Sequence, residues 1–374
     1  MLKLLAIVLL TLHSLSLLNV AHANDDQFSN AMKFEASKFD KFVSNKGLVY
    51  DDPKLQDYLQ KIMDRLFPEY KGELNVHIHK APILNAFALA NGSIYINISM
   101  LAACENEAQI AAVLAHEGIH YVNQHVIQKQ KHRSKTAGME LAVGALTGGV
   151  SLIFSGALAN SAIAGYSREL ETEADNEGFK RFVAAGYEVT ESSKMFELLL
   201  EEVELYDIEV PYFYSSHPAL KDRISNYESL AVKNSSGAPG ITNGKIYNSH
   251  VRDARNYNIN EKLNTGQYKG VINELTKLNR GKFYGPHYKY YIGEAYRLSA
   301  DMKDLNSAES NYLASINDAP EFSMAYRSLG TLYFKQKRCY PAVTNFRRYL
   351  ELEPHASDKS YVDFYIRKCE EGAN

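Results

Sequence analysis

Cysteine is scarce. Three in 374 residues, Cys104, Cys339 and Cys369, are too few and too scattered for a cysteine-based zinc site or a disulfide framework. Cys104 reads as core packing, whereas Cys339 and Cys369 lie close in a helical C-terminal region and can form one bridge. A surplus of either charge is lacking too. The 41 basic and 44 acidic side chains leave a net charge of -3, which gives no electrostatic reason to expect a nucleic acid partner. Protein or peptide ligands fit better.

Long hydrophobic runs are also few. Residues 1–23, MLKLLAIVLLTLHSLSLLNVAHA, place Lys3 before a leucine-rich run and end small-x-small at Ala21-His22-Ala23. That pattern predicts a secretory signal cleaved after Ala23 and an exported, periplasmic chain. The run is short for a membrane span and breaks at His13 and Ser14, and no cysteine follows the cleavage point to carry a lipid. A second uncharged run covers residues 141–160. A single crossing there would put the chain before it and the chain after it on opposite sides of a bilayer; its glycines, Gly144, Gly148, Gly149 and Gly156, suit packed helices or a flap over a cleft instead. No stable membrane span is expected.

What is present is mostly helical periodicity. PKLQDYLQKIMDRLF puts Leu55, Leu59, Ile62 and Leu66 on one stripe behind a proline suited to a first helical turn. LNVHIHK alternates Leu74, Val76 and Ile78 with polar positions, His77 and His79 facing the solvated side. FALANGSIYINIS sets Asn91-Gly92 between two alternating runs. Together they predict a small antiparallel sheet. From Asn106 to the basic run KQKHRSK one long helix is expected, with a stripe through Ile110, Val113, Leu114 and Tyr121. SRELETEADNEGFKRFVAAGY reads as a second helix closed by Gly186, another follows around 192–205, and the Ser/Gly/Pro-rich KNSSGAPGITNG reads as a linker.

Beyond it the pattern repeats. Tyr326, Leu329, Gly330, Tyr333, Ala342, Phe346 and Pro354 keep the spacing of a tetratricopeptide repeat, with a period of about 34 residues. Gly293, Tyr296, Ala308, Tyr312 and Pro320 give an earlier copy, and GQYKGVINELTKL the second half of a third. SYVDFYIRKCEE would cap the array. Such a solenoid commonly binds an extended peptide or helix in its concave face. The expected division is 1–23 signal, 24–235 catalytic domain, 236–249 linker and 250–374 repeats.

The chemistry sits in HEGIH, residues 116–120. Residues four apart share a helix face, so His116 and His120 can aim nitrogens at one point, a geometry zinc accepts. Glu117 lies about 100° round the helix, beside a metal rather than on it, where it can serve as a base. A zinc centre of this type needs a third protein ligand, and YVNQH after His120 has no glycine where an extended HxxGxxH motif would need it. The ligand must come from elsewhere. Glu171 in ETEAD is the candidate, and Asp175, one turn on, could accept the free N–H of a ligand histidine or bond the reacting centre. His125 reads as a surface histidine or an outer partner of the site, and Arg223 as half of a structural ion pair.

HEGIH, a glycine-rich apolar stretch, SRELETEAD and SSHPALKDRI together resemble the M48 family of zinc metallopeptidases, and over nearly the whole mature chain its periplasmic members with C-terminal tetratricopeptide repeats. The resemblance implies a mainly α (α+β) zincin-like domain with a small sheet, followed by an α-solenoid of helical hairpins. It implies one Zn2+ held by His116, His120 and Glu171, with Glu117 as catalytic base and Asp175 as supporting acid. His217, from the HP motif, should face the cleft, at the open metal position or the developing oxyanion. Misfolded or stalled outer-membrane proteins would be substrates, with the assembly machinery docking on the repeats. Two features depart from the family: Gly118 where an apolar residue is more usual, and a hairpin turn, LANG, poor in glycine. The other function in view is a repeat-based chaperone or adaptor whose protease site is latent.

Overall fold

The computed structural model describes residues 25–136, 165–206, 217, 220–235, 237–277, 280–299 and 304–371. The expected signal, residues 1–23, and the uncharged run at 141–160 lie outside them. Among the described residues no helix is long and apolar enough to cross a membrane. The described residues are mainly helical with one small sheet, in two compact units that divide between Val251 and Arg252.

The first unit opens with α1 (Asp25–Asn45), whose Ala36, Phe39 and Val43 pack on Leu89 and Tyr95. Sequence periodicity had not singled it out. The helix α2 (Pro53–Leu66) is where its stripe predicts. Asp52 caps it, accepting from the Lys54 and Leu55 N–H groups, and Leu55, Leu59, Ile62, Met63 and Leu66 are buried.

The sheet differs from expectation. Strands β1 (Asn75–His79), β2 (Ala86–Ala88) and β3 (Ser93–Asn97) lie in the order β1-β3-β2; β2 pairs antiparallel with β3 through the Asn91-Gly92 turn, but β1 pairs parallel with β3. Alternation alone sets which face is buried, not the direction of the neighbour, so this pairing is invisible locally. His77 and His79 are half-buried rather than solvated: His77 stacks on Tyr95, and His79 Nδ1 lies 3.1 Å from Asn97 Oδ1. Asp40 of α1 fixes the turn, accepting from Asn91 Nδ2 at 2.6 Å, Ser93 Oγ at 2.9 Å and Tyr95 Oη at 2.8 Å.

After the short α3 (Ile98–Ala103) comes α4 (Glu107–Val122), capped by Asn106 and buried from Glu107 to His120. The single long helix expected here is in fact two. Gln124 adopts φ 55°, a left-handed conformation that ends α4, and α5 (His125–Thr136) starts afresh. The helix α6 (Arg168–Ala184) packs on α4, α8 (Leu220–Asn234) packs on α6, and α7 (Lys194–Tyr206) meets α8 where the Phe196 and Tyr227 rings lie 5.0 Å apart. The predicted linker does not run free. Ile241 bridges to Tyr187, a Cβ on Gly240 would fall 2.5 Å from the Glu188 backbone, and α9 (Gly244–Asn264) buries Tyr247 and bonds its hydroxyl to the Leu101 carbonyl. Glycine there allows contact between two backbones rather than slack.

The second unit continues through α10 (Tyr268–Thr276), α11 (Tyr288–Leu298), α12 (Asp304–Asp318), α13 (Ser323–Lys335), α14 (Cys339–Leu352) and α15 (Lys359–Glu371). Successive helices pack on one another, and two pairs meet alike. A Cβ on Gly293 of α11 would lie 2.7 Å from the Tyr312 ring of α12, and one on Gly330 of α13 would lie 2.8 Å from the Phe346 ring of α14. A disulfide joins Cys339 to Cys369, and Cys104 is free and buried. Closing a loop of 30 residues stabilises by about 3–4 kcal/mol in the chain-entropy picture. Non-reducing peptide mapping should therefore recover Cys339 and Cys369 joined, and a paired Cys339→Ser/Cys369→Ser variant should lose about that much stability in the second unit by denaturant melts.

Candidate active site

On α4 the spacing of four residues brings the imidazoles of His116 and His120 to 4.6 Å between ring centroids, with their Nε2 atoms 3.0 Å apart. The third group arrives on α6. Ser167 caps that helix, placing Glu171 in its first turn and Asp175 one turn later. Gly178 sets how near α6 comes, since a Cβ there would lie 3.1 Å from the Ala115 carbonyl carbon. The two backbones are in contact, and the Glu171 carboxylate reaches 3.6 Å from both His116 Nε2 and His120 Nε2. A fourth group joins them: His217 Nδ1 is 2.9 Å from Glu171 Oε1 and 3.2 Å from His116 Nε2. One donor atom from each of His116, His120, Glu171 and His217 lies within 4.8 Å of the other three, and all four residues are buried.

The two histidines of α4 are held from behind. Asp175 Oδ1 lies 3.0 Å from His116 Nδ1, so Asp175 stands behind the ligand histidine and not over the cleft. Arg223 holds that carboxylate in turn, its Nη2 2.6 Å from Asp175 Oδ1 and its Nη1 2.9 Å from Glu171 Oε2, with the guanidinium 4.4 Å from the centroid of the Phe196 ring. Behind His120 stands His125, Nδ1 to Nδ1 at 3.0 Å, fully buried rather than at the surface. The break at Gln124 is what folds it back there. Tyr166, which sequence reasoning passed over, stacks on His120 at 3.8 Å and 12°. Its only sequence signal is its place just before the Ser167 cap.

Gly118 also finds its reason. A Cβ would fall 2.3 Å from Cε2 of the buried Phe67, so the zinc-motif helix gives up helix propensity to seat that ring.

Burial sets the electrostatics. Desolvation and the Arg223 charge bring His116 down to about 4, and desolvation brings His120 and His217 well below the usual imidazole range, so all three are neutral at pH 7. Neutral imidazoles present lone pairs with no proton to displace. Glu117 is pushed up to about 8 by burial and then by Glu171, and neither carboxylate oxygen closes a hydrogen bond of normal geometry; Oε1 lies 3.4 Å from His217 Nε2. Burial also raises Glu171. Asp175 goes the other way: burial opposes its charge, but Arg223 and His116 outweigh it and hold it at about 2.

This cluster fits a divalent cation. Three neutral nitrogen donors, a carboxylate short of compensating charge and a second carboxyl beside them are what zinc takes, and a cation would favour ionised Glu171 and Glu117.

Comparison with known proteins agrees. Residues 50–231 match the model of peptidase family M48. A putative beta-barrel assembly-enhancing protease of Vibrio cholerae is 25% identical over 201 residues, covering 50% of this chain and 41% of that protein. The mitochondrial metalloendopeptidase OMA1 of Saccharomyces cerevisiae is 29% identical over 191 residues, 50% of this chain and 52% of its own. The beta-barrel assembly-enhancing protease of Escherichia coli is 23% identical over 195 residues, covering 48% and 40%. The matched segment spans about half the length, or less, of these curated relatives.

Removing the support behind a ligand loosens it. Asp175→Asn should bind zinc about 10–100-fold more weakly, read by competition with a chromophoric chelator.

Proposed function

Because residues 50–231 form a peptidase family M48 domain, we propose that this chain is a zinc-dependent metalloendopeptidase that hydrolyses peptide bonds in protein substrates. The observation that carries the reading is the meeting of Glu171 with His116 and His120, with Glu117 beside them. Bound there, zinc would supply a Lewis acid that polarises a scissile carbonyl and acidifies water. Glu117 takes the proton of the attacking water and passes it to the leaving amine nitrogen. His116 and His120 keep their orientation through Asp175 and His125, and Arg223 keeps Asp175 ionised.

The sheet supplies the substrate's track. The Asn97 N–H bonds to the Asn85 carbonyl and the Leu89 N–H to the Ser93 carbonyl, so Ala86 and Ala88 turn their N–H and C=O groups away from β3. No other described strand pairs with that side. The Ala88 N–H favours ionised Glu117, which sets this edge beside the base. An extended substrate adds there as a further strand and brings a peptide carbonyl to the metal.

The relatives named for beta-barrel assembly favour a periplasmic role in the quality control and assembly of outer-membrane proteins, after export through the N-terminal signal. The helices from α10 onward, with Gly293 and Gly330 seated on aromatic rings, are read as tetratricopeptide repeats that dock clients or assembly machinery. One observation favours a latent protease: His217 stands among the ligands, where zinc-peptidase chemistry needs an open position.

Glu117→Gln should keep its zinc and lose casein cleavage by about 10²–10⁴-fold, whereas His116→Ala should lose both. Equal cleavage by Glu117→Gln and the parent chain would remove the base. If His217 closes the fourth position, His217→Ala should keep zinc and cleave casein about tenfold faster, an effect of ~1.4 kcal/mol on the barrier; slower cleavage would make His217 part of the chemistry instead.

A further inference from the structure

The two histidines of α4 are not supported alike. Behind His116 Nδ1 stands the Asp175 carboxylate, which can only accept, so that nitrogen carries the proton and Nε2 offers its lone pair to the donor cluster. Behind His120 Nδ1 stands a second imidazole, with His125 Nδ1 at 3.0 Å. A neutral imidazole can carry its proton on either nitrogen, so this pair by itself has two states. In one, His120 Nδ1 donates to His125 and His120 Nε2 is free to hold a metal. In the other, His125 donates, and the His120 proton sits on Nε2, the atom that faces Glu171 Oε1 at 3.6 Å. That proton blocks the donor cluster.

What lies on the far side of His125 decides between them. His125 is fully buried, and its Nε2 closes no hydrogen bond of normal geometry among the described residues. Glu173 of α6 faces it, with Oε2 3.6 Å away. The other oxygen of that carboxylate accepts from Asn123 Nδ2 at 2.6 Å, and Asn123, the C-terminal cap of α4, also donates to Glu177 Oε2 at 3.1 Å. Glu173 is thereby held at the break between α4 and α5, beside the left-handed Gln124. A carboxylate there is again acceptor-only, so it favours the His125 proton on Nε2 and leaves His125 Nδ1 to accept. The His120 proton then belongs on Nδ1. Two imidazoles in series do for His120 what Asp175 does for His116 in one step.

We propose that Glu173 is a positioning residue for the metal centre: through His125 it sets the proton of His120 on Nδ1, so that His120 Nε2 enters the donor cluster as a free lone pair. The inference rests on the metal-centre reading. The Glu173 side chain is 45% exposed, so it can be replaced without opening the core. The test locates protons before any metal is added. In the zinc-free protein carrying isotope-labelled histidine, long-range proton–nitrogen correlation spectra should show His120 protonated at Nδ1 and His125 at Nε2. Glu173→Ala should move both protons to the opposite nitrogens in a measurable share of molecules, and Glu173→Lys, whose side chain only donates, should move them further. Glu177→Ala, which removes the other carboxylate bonded to Asn123, should leave them in place. Zinc affinity by chelator competition should fall about tenfold or more in Glu173→Ala and stay parental in Glu177→Ala. Protons unmoved in both Glu173 variants overturn the proposal even where zinc binding weakens, because lost affinity alone fits a loosened helix. Equal movement in Glu177→Ala, or moved protons with zinc affinity unchanged, overturns it as well. Should the parent bind no zinc, the metal reading falls separately; moved protons then keep the relay from Glu173 to His120, and unmoved ones sink it.

Discussion

The site depends on one close approach between two helices. Backbones in contact need a residue with no side chain on one of them, and Gly178 of α6 supplies it against Ala115 of α4. A Cβ there would meet main-chain atoms of Ala115 and His116 at 3.1–3.2 Å, so the facing backbone would have to give by a few tenths of an ångström. The distance matters because a carboxylate near 3.6 Å from two imidazole nitrogens is within reach of completing a metal's ligand set, while one displaced by the width of a methyl group is not. The same approach sets Asp175 behind His116. Five residues of α6, from Glu171 to Asp175, thus bring one carboxylate to the donor cluster and set another behind His116.

The charges around that contact are arranged against their own burial. Three carboxyl groups, Glu117, Glu171 and Asp175, sit out of water with one guanidinium, Arg223, fixed between two of them. Asp175 gets most of the compensation, and Glu171 and Glu117 the remainder, which shows in the opposite directions of their acidities. A buried carboxyl takes up a proton rather than bear an unpaired charge, so a divalent ion binding the donor cluster would displace protons and stabilise the folded layer. Metal binding and the stability of this layer are therefore coupled.

Much of this was readable in the sequence, and the limits follow physical lines. The pair His116 and His120 with Glu117 is a local pattern, and helical geometry alone converts it into two aligned nitrogens and a neighbouring acid. Glu171 and Asp175 needed the helix after Ser167 to be recognised, again a local matter; that they face His116 could be argued only from the chemistry zinc requires and from resemblance. His217 was expected to face the cleft; its Nδ1 lies 3.2 Å from His116 Nε2 and 2.9 Å from Glu171 Oε1. Where contacts between distant segments decide, local pattern failed. The parallel partner of β3 and the stacking of Tyr166 on His120 depend on long-range packing, whereas His125 behind His120, one of the two readings its sequence left open, depends on a single left-handed residue, Gln124. Glycine misled once, at Gly240, where an apparent linker is a tight backbone contact, and Gly118, a departure from the family in the sequence, makes room for the Phe67 ring.

The turn at Asn91 has one more implication. The carboxylate that anchors it, Asp40, belongs to α1, ahead of residue 50 where the family-matched segment begins. The rim of the cleft is thus braced by a helix outside the recognised domain boundary. A fragment started at that boundary would keep all four residues of the donor cluster yet uncover Tyr95, Phe87 and Leu89, and would leave the turn between β2 and β3 without its anchor. Here the functional unit is longer than the unit that homology marks out.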